Sequence, residues 1–142
     1  MNDKNDDTIA KEWLRYADND LIVAKHSFHD LHPKQTEIAC YLSQQCAEKS
    51  LKSILVHHNT EPPRTHDLIA LCEMCIKQDN DFIALRENCK ILTAYGVHVR
   101  YPNELAVDEG ITKIAIDQAQ LVYDFCISKI DKSNKLEKPE KL

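Results

Sequence analysis

The 142-residue sequence has few of the residues that make tight turns, with only two glycines and five prolines. Sheet-rich folds need many such turns, so this scarcity favours long helices with few connections. The sequence also has no apolar run close to the roughly 18 residues of a membrane span. Its polar N-terminus does not resemble a secretory signal. These absences predict an all-α, cytoplasmic protein with no membrane partner.

Positive charge is also in short supply, because 18 Lys and Arg residues face 23 Asp and Glu residues, for a net charge of −5. Such a balance argues against a broad nucleic-acid surface, and we expect no DNA partner. A local basic patch remains compatible with it, since net charge describes the whole surface and not one cleft.

The cysteines are expected to be free and mostly buried, as thiols are in a cytosolic chain. Cys72 and Cys75 form the one CxxC pair, which could serve redox chemistry or hold a metal. The pair lies inside a helical pattern and has no second pair of ligands at zinc-finger spacing. Core packing is therefore the favoured interpretation, and we expect no metal and no cofactor. The six cysteines are Cys40, Cys46, Cys72, Cys75, Cys89 and Cys126.

Apolar residues recur at three- and four-residue steps in five segments, which predicts five amphipathic helices. Thr8 and Thr65 are predicted N-caps of the first and third helices. The third helix is predicted to end at Gln78. The other four helices are predicted over 8–28, 34–58, 81–95 and 108–130.

Five such helices with short connections pack most simply as an antiparallel up-and-down bundle. We expect this bundle to occupy residues 8–130. Residues 1–7 are predicted to be a disordered N-terminus, and residues 131–142 a flexible charged tail.

Four polar residues fall on one face of the second helix, namely Tyr41, Gln45, Glu48 and Lys52. At 100° per residue they make a continuous stripe beside the apolar face. The stripe has two interpretations. It is either a solvated face with a weak Glu48–Lys52 pair or part of a binding site or interface.

Topology predicts a second group of polar residues at one end of the bundle. In an up-and-down bundle the second and fourth connections lie at the same end, near the end of the second helix. Guanidinium groups there would bind phosphate oxygens, and aromatic rings would stack on bases. The residues expected to gather are Arg64, Thr65, His66, Tyr95, His98, Arg100 and Tyr101, with His57 and His58 close by.

Each member of this group also has a purely structural interpretation. His66 would then cap or pack a helix start, and Arg100 would pair with Glu48 or Glu104. His98 as a general base with Arg100 as an electrostatic stabiliser would suffice to cleave RNA through its 2′-hydroxyl. A zinc site built from the three histidines at 57, 58 and 66 is disfavoured because no fourth ligand is evident.

Four sequence blocks stand in order between residues 13 and 130. The first is Asp20, Leu21 and Ala24 in the predicted first helix. The second is residues 40–52, CYLSQQCAEKSLK, with Gln-Gln followed by Ala-Glu-Lys, and the third is residues 62–68, PPRTHDL. The fourth is Tyr95 followed by Val-Arg-Tyr-Pro at 99–102. In this order the blocks resemble the opening helix, the signature second helix, the entry to the third helix and the last connection of the HEPN domain family.

The resemblance implies an α-helical protein, and proteins of this family are commonly homodimeric. They are often encoded beside a minimal nucleotidyltransferase, and some such pairs behave as toxin–antitoxin modules. Many members of the family are metal-independent ribonucleases with a histidine four to six residues after an arginine. None of Arg15, Arg64, Arg86 and Arg100 is followed by a histidine at that spacing. The sequence departs from the ribonuclease pattern.

Three hypotheses follow, in order of preference. The first is a HEPN-type nucleotide-binding and regulatory module that dimerises and works with a nucleotidyltransferase. Its predicted ligand-binding residues are Tyr41, Gln45, Glu48, Lys52, Arg64, His66, Tyr95, Arg100 and Tyr101. The second is a metal-independent ribonuclease toxin with a displaced site, using His98 and Arg100. The third is a structural helical protein whose polar stripe is an interface with a partner.

Overall fold

The computed structural model describes the backbone of residues 3–95 and 108–137 and the side chains of residues 7–95 and 108–131. Within these ranges the chain forms five α-helices and one 3-10 helix and no strand, which confirms the predicted all-α bundle. No helix there is long and apolar enough to cross a membrane. The helices are α1 Asp3–His29, α2 Thr36–His57, α3 Leu68–Gln78, α4 Arg86–Tyr95 and α5 Glu109–Glu137, and the 3-10 helix Asn80–Leu85 precedes α4.

The longer elements alternate in direction, and the buried apolar residues that the structure describes form two clusters between them. Asp7 in the first turns of α1 meets His57 at the end of α2, with Oδ1 and Nδ1 2.7 Å apart, so these helices are antiparallel. Phe82, just before α4, packs edge-on against Phe125 in the second half of α5, and the chain then runs along α5 toward its start. The largest fully buried side chains are Phe82, Leu51, Ile54, Leu55, Leu68, Leu71, Leu92, Ile130 and Val122.

Two helices are longer than predicted. α1 begins at Asp3 instead of Thr8, and α5 continues to Glu137 instead of ending at Ile130. The contact between Asp7 and His57 ties the early turns of α1 to α2 and extends the helix past the expected cap. No glycine or proline stands between Ile111 and Glu137 to stop α5. The wider division of the chain into a domain and two charged ends stays a prediction.

The predicted fourth helix is two elements. The 3-10 helix carries residues 80–85, and α4 starts only at Arg86. Asp79 caps the 3-10 helix, because its side chain accepts a hydrogen bond from the backbone N–H of Asp81. Phe82 and Leu85 are three residues apart, a spacing that lines up on a 3-10 helix as well as on an α-helix.

The third helix is capped by Asp67 and not by Thr65. The Asp67 carboxylate accepts hydrogen bonds from the backbone N–H groups of Ile69 at 3.0 Å and Ala70 at 3.1 Å. Thr65 has a different partner, since its hydroxyl accepts from the backbone N–H of Asp67 at 3.2 Å. α3 therefore begins at Leu68, later than expected.

Replacing Asp67 with alanine is expected to lower the free energy of unfolding by about 1 kcal/mol, because the first N–H groups of α3 lose their acceptor. Denaturant unfolding monitored by circular dichroism measures the change. Thr65→Ala is the matched control with an expected loss of only a few tenths, within about 0.5 kcal/mol. A larger loss for Thr65→Ala than for Asp67→Ala would contradict this assignment of the cap.

The end of α2 reverses the chain. Asn59 has a positive φ of 60°. Its N–H donates to the carbonyl of Val56 at 2.9 Å, and the N–H of Thr60 donates to the carbonyl of Leu55 at 2.8 Å. This pair of bonds is a Schellman motif. Residues 59–67, here named the return segment, then run back along α2 until His66 reaches Glu48 in its middle.

Candidate functional site

The polar stripe on α2 contains a buried ion pair. Glu48 and Lys52 are 5% and 6% exposed, and the Lys52 ammonium donates to Glu48 Oε2 at 2.9 Å. Of the two interpretations of the stripe, the solvated face is therefore wrong for these two residues. Burial makes the pair mutually dependent, because a carboxylate or an ammonium left alone there would be a desolvated, unpaired charge.

His66 completes the cluster from the return segment. Its Nδ1 lies 3.0 Å from Oε1 and 3.1 Å from Oε2 of Glu48. The imidazole is otherwise open to solvent, with 81% of its side chain exposed. Glu48 therefore holds two cationic or potentially cationic groups at once. Its contact with His66 fixes the far end of the return segment against α2.

The other two stripe residues lie further from this cluster. The Gln45 amide donates to Glu48 Oε1 at 3.4 Å, a long and weak hydrogen bond. Tyr41 is 50% exposed at the surface of the first half of α2. Tyr41, Glu48 and Lys52 all lie on α2, as the predicted stripe requires. Tyr41 nevertheless stands about three turns from Lys52 along the helix axis.

A groove opens beside Lys52, between α1 and the return segment, with a volume of about 560 Å³. The ten lining residues combine apolar side chains with two cations, Lys52 and Arg64. Within the part of the chain that the structure describes, Arg64 makes no ion pair. α1 supplies Ile9 and Trp13, α2 supplies Lys52 and Val56, and the return segment supplies residues 59–64. The Lys52 ammonium lies 5.8 Å from the centre of the Trp13 ring, in a cation–π contact.

The predicted gathering of the second and fourth connections at one end of the bundle is only partly found. α4 ends beside the first half of α2, where the Gln44 amide donates to the Leu92 carbonyl at 3.2 Å. The second connection starts at the opposite end of α2, so the two connections begin at different ends. Tyr95, half-buried at the end of α4, is on the side away from the groove end of α2. His98, Arg100 and Tyr101 lie outside the described residues.

The return segment brings part of the predicted group together by another route. Because it runs back along α2, Arg64 and His66 lie near Lys52 and Glu48 and not beyond the helix end. His57 is instead engaged with Asp7, and its ring packs edge-on against His58 at 5.2 Å. Within the described ranges, no group of three or more His, Cys, Asp or Glu side chains is placed to hold a metal ion.

All six cysteines are buried and outside any disulfide bond, as predicted. Burial raises the pKa of Cys46 to about 12 and raises the pKa of Cys126 well above its ordinary value. The Cys75 thiol points to the Leu51 carbonyl at 3.5 Å, inside the core. Cys72 and Cys75 thus serve packing in this fold.

Sequence reasoning missed Trp13 and the apolar lining of the groove. Trp13 and Ile9 are four residues apart on α1, and Lys52 and Val56 are four residues apart on α2. Each spacing places its two residues on one helical face. That signal was present in the sequence. What it lacked was the path of the return segment, which closes the third side.

Fold and site together define the class of this protein. It is an all-α bundle with a buried charge cluster on its second helix and a groove beside that cluster. A model of the HEPN domain family matches residues 10–132. The chain belongs to the HEPN domain family.

Two solved structures have a similar fold. The protein TT1696 from Thermus thermophilus is 27% identical with a TM-score of 0.71, over 84% of this chain and 97% of that chain. ST0689, an archaeal HEPN homologue, is 23% identical with a TM-score of 0.67, over 85% of this chain and 97% of its own. The latter likeness bears on the fold alone. No curated protein matches the chain significantly.

Proposed function

We propose that this HEPN protein is a nucleotide-binding and regulatory module. The observation that carries the proposal is the buried Glu48–Lys52–His66 cluster beside a groove that also contains Arg64. Burying an ion pair is costly, and a groove with a few convergent polar groups is the usual form of a ligand site. An ammonium and a guanidinium on one groove are suited to phosphate oxygens, the guanidinium through paired hydrogen bonds.

Titration of the protein with ATP by calorimetry tests this proposal. Arg64→Ala is expected to weaken ATP binding at least about tenfold, since one charge-assisted hydrogen-bonding group contributes about 1.5–3 kcal/mol. Arg64 is exposed, so the variant should fold normally. Arg86→Ala is the matched control, because Arg86 is exposed and pairs with Glu73 away from the groove. A wild-type protein that binds none of ATP, GTP and AMP would overturn the proposal.

The regulatory part of the proposal rests on family membership. HEPN domains commonly dimerise and are often encoded beside a minimal nucleotidyltransferase, so we propose a homodimer that works with such an enzyme in a toxin–antitoxin-like pair. Sedimentation at micromolar concentration tests the dimer, and a clean monomer would contradict it. Co-expression with a nucleotidyltransferase from a neighbouring gene, followed by gel filtration, tests the complex.

A ribonuclease is the second candidate, and one contact favours it. With its proton on Nδ1, His66 donates to buried Glu48 and keeps Nε2 free to accept a proton, as an oriented general base does. This site differs from the predicted pair of His98 and Arg100. Incubation with a structured RNA separates the candidates. Cleavage by the wild-type protein that is lost in His66→Ala would favour the ribonuclease. RNA that stays intact with the wild-type protein would exclude it.

A further inference from the structure

We propose that the groove beside Trp13 takes a single nucleoside phosphate, with the base against the indole and the phosphate at Lys52 and Arg64. The inference rests on the proposed function and deepens it by naming the place and the size of the ligand. It assigns to Trp13 a role that neither the sequence pattern nor family membership gives it.

The groove offers two chemically different parts. Its apolar part is formed by Ile9, Trp13, Val56 and the two prolines at 62–63. Ile9 is 51% exposed, so its side chain is accessible in the groove. An aromatic ring flanked by aliphatic side chains is a good surface for a planar base, because every base has a face that can stack.

The cations lie directly beside this apolar part. The Lys52 ammonium is 5.8 Å from the centre of the Trp13 ring and is held at 2.9 Å by Glu48. The side chain is thus fixed in position before a ligand arrives. Arg64 faces the groove from the return segment and has no ion-pair partner among the described residues. A ligand with a ring and an anionic group a few bonds apart therefore matches the groove, as a nucleoside phosphate does.

The remaining polar residues suit a sugar. Asn59 and Thr60 offer an amide and a hydroxyl, and Glu61 offers a carboxylate that can accept from ribose hydroxyls. Glu61 is the one acidic residue in the lining. Lys52 is already paired with Glu48, so Arg64 and Glu61 are the remaining charged side chains of the lining.

The dimensions favour one nucleotide over a strand. A volume of about 560 Å³ lies within the roughly 300–1,000 Å³ of small-molecule sites. A second depression shares Ile9 and Trp13 with the groove and is otherwise lined by Glu12 and Tyr16. Glu12 there is paired with Arg15 at 2.9 Å, so the depression has a neutralised charge and no free cation among its lining. A continuous phosphate backbone would need further cations along its path.

Trp13 is the sole tryptophan of the chain, so its fluorescence reports on the groove directly. Titration of the wild-type protein with AMP should quench this fluorescence with the same midpoint that calorimetry gives. Adenosine should bind about tenfold more weakly than AMP, because it lacks the phosphate. Inorganic pyrophosphate should bind with little quenching. An adenine oligonucleotide should bind no more tightly per chain than AMP.

Three aromatic substitutions on α1 provide the matched comparison. Trp13→Ala should weaken AMP binding about tenfold, as loss of one stacking partner does. Trp13→Phe should recover most of the affinity. Tyr16→Ala removes a half-exposed ring outside the groove and should leave AMP binding unchanged. Circular dichroism confirms that each variant is folded, and the wild-type fluorescence titration needs no variant.

The outcomes separate this inference from the function beneath it. AMP binding that neither quenches the Trp13 fluorescence nor weakens in Trp13→Ala would overturn the groove as the site and leave nucleotide binding intact. Tighter binding of the oligonucleotide than of AMP would overturn the single-nucleotide ligand. Failure to bind ATP, GTP or AMP would overturn both proposals.

Discussion

Glu48→Ala is expected to lower the free energy of unfolding by about 3–5 kcal/mol, the usual cost of leaving a buried charge without its partner. Lys52 is 6% exposed and would lose the carboxylate that holds it at 2.9 Å. His66 would lose the contact that fixes the return segment. Equilibrium denaturation by urea measures the change.

An exposed pair of the same helical spacing is the control. Lys113 and Asp117 are 3.2 Å apart on α5, with side chains 64% and 56% exposed. Asp117→Ala should cost no more than about 0.5 kcal/mol. Equal losses for Glu48→Ala and Asp117→Ala would show that water reaches the Glu48 cluster and that its burial has no energetic meaning.

Replacing both partners separates stability from function. The double variant Glu48→Leu with Lys52→Leu removes both charges together and should recover most of the stability lost in Glu48→Ala. It also removes the Lys52 cation from the groove, so the double variant should bind nucleotide more weakly than the wild-type protein. Recovery of stability together with full nucleotide affinity would contradict the role given to Lys52.

Phe82→Ala is expected to lower the free energy of unfolding by about 3–5 kcal/mol, because it empties a large space in the core. Phe82 is 0% exposed. Its ring packs edge-on against Phe125 with centres 5.0 Å apart. The loss combines the transfer of an aromatic side chain, the cavity left behind and the ring contact.

Ile83→Ala in the same 3-10 helix is the matched control for Phe82→Ala. Ile83 is 47% exposed, so its truncation should change stability by no more than about 0.5 kcal/mol. Thermal and urea unfolding of the two variants side by side would show the difference. A cost below about 1 kcal/mol for Phe82→Ala would mean that the core closes over the missing ring.

Helical periodicity predicted the elements well and their ends poorly. The α2 helix, Thr36–His57, agrees with its predicted bounds to within two residues. The cap of α3 was misassigned because Thr65 and Asp67 are both good N-caps two residues apart. The contact between His66 and Glu48, 18 residues apart in the chain, is not encoded in the local sequence around either cap candidate.

The candidate site was predictable in its members on α2 and not in its surroundings. Spacing alone placed Glu48 and Lys52 on one face, and the structure agrees. Their burial depends on α1 and on the return segment, which cover α2 only after the tertiary fold forms. The prediction that the second and fourth connections meet at one end of the bundle was only partly met, for a related reason. Strict alternation of helices gave no hint that residues 59–67 double back beside α2.

The end of α2 has a consequence for the thermodynamics of binding. Two Schellman hydrogen bonds, two consecutive prolines at 62–63 and the His66 contact together restrict the return segment before any ligand arrives. Proline also reduces the conformational freedom of the unfolded chain, so ordering the return segment costs little conformational entropy. A ligand entering the groove then meets a wall that is already ordered, and less of its interaction energy is lost as conformational entropy.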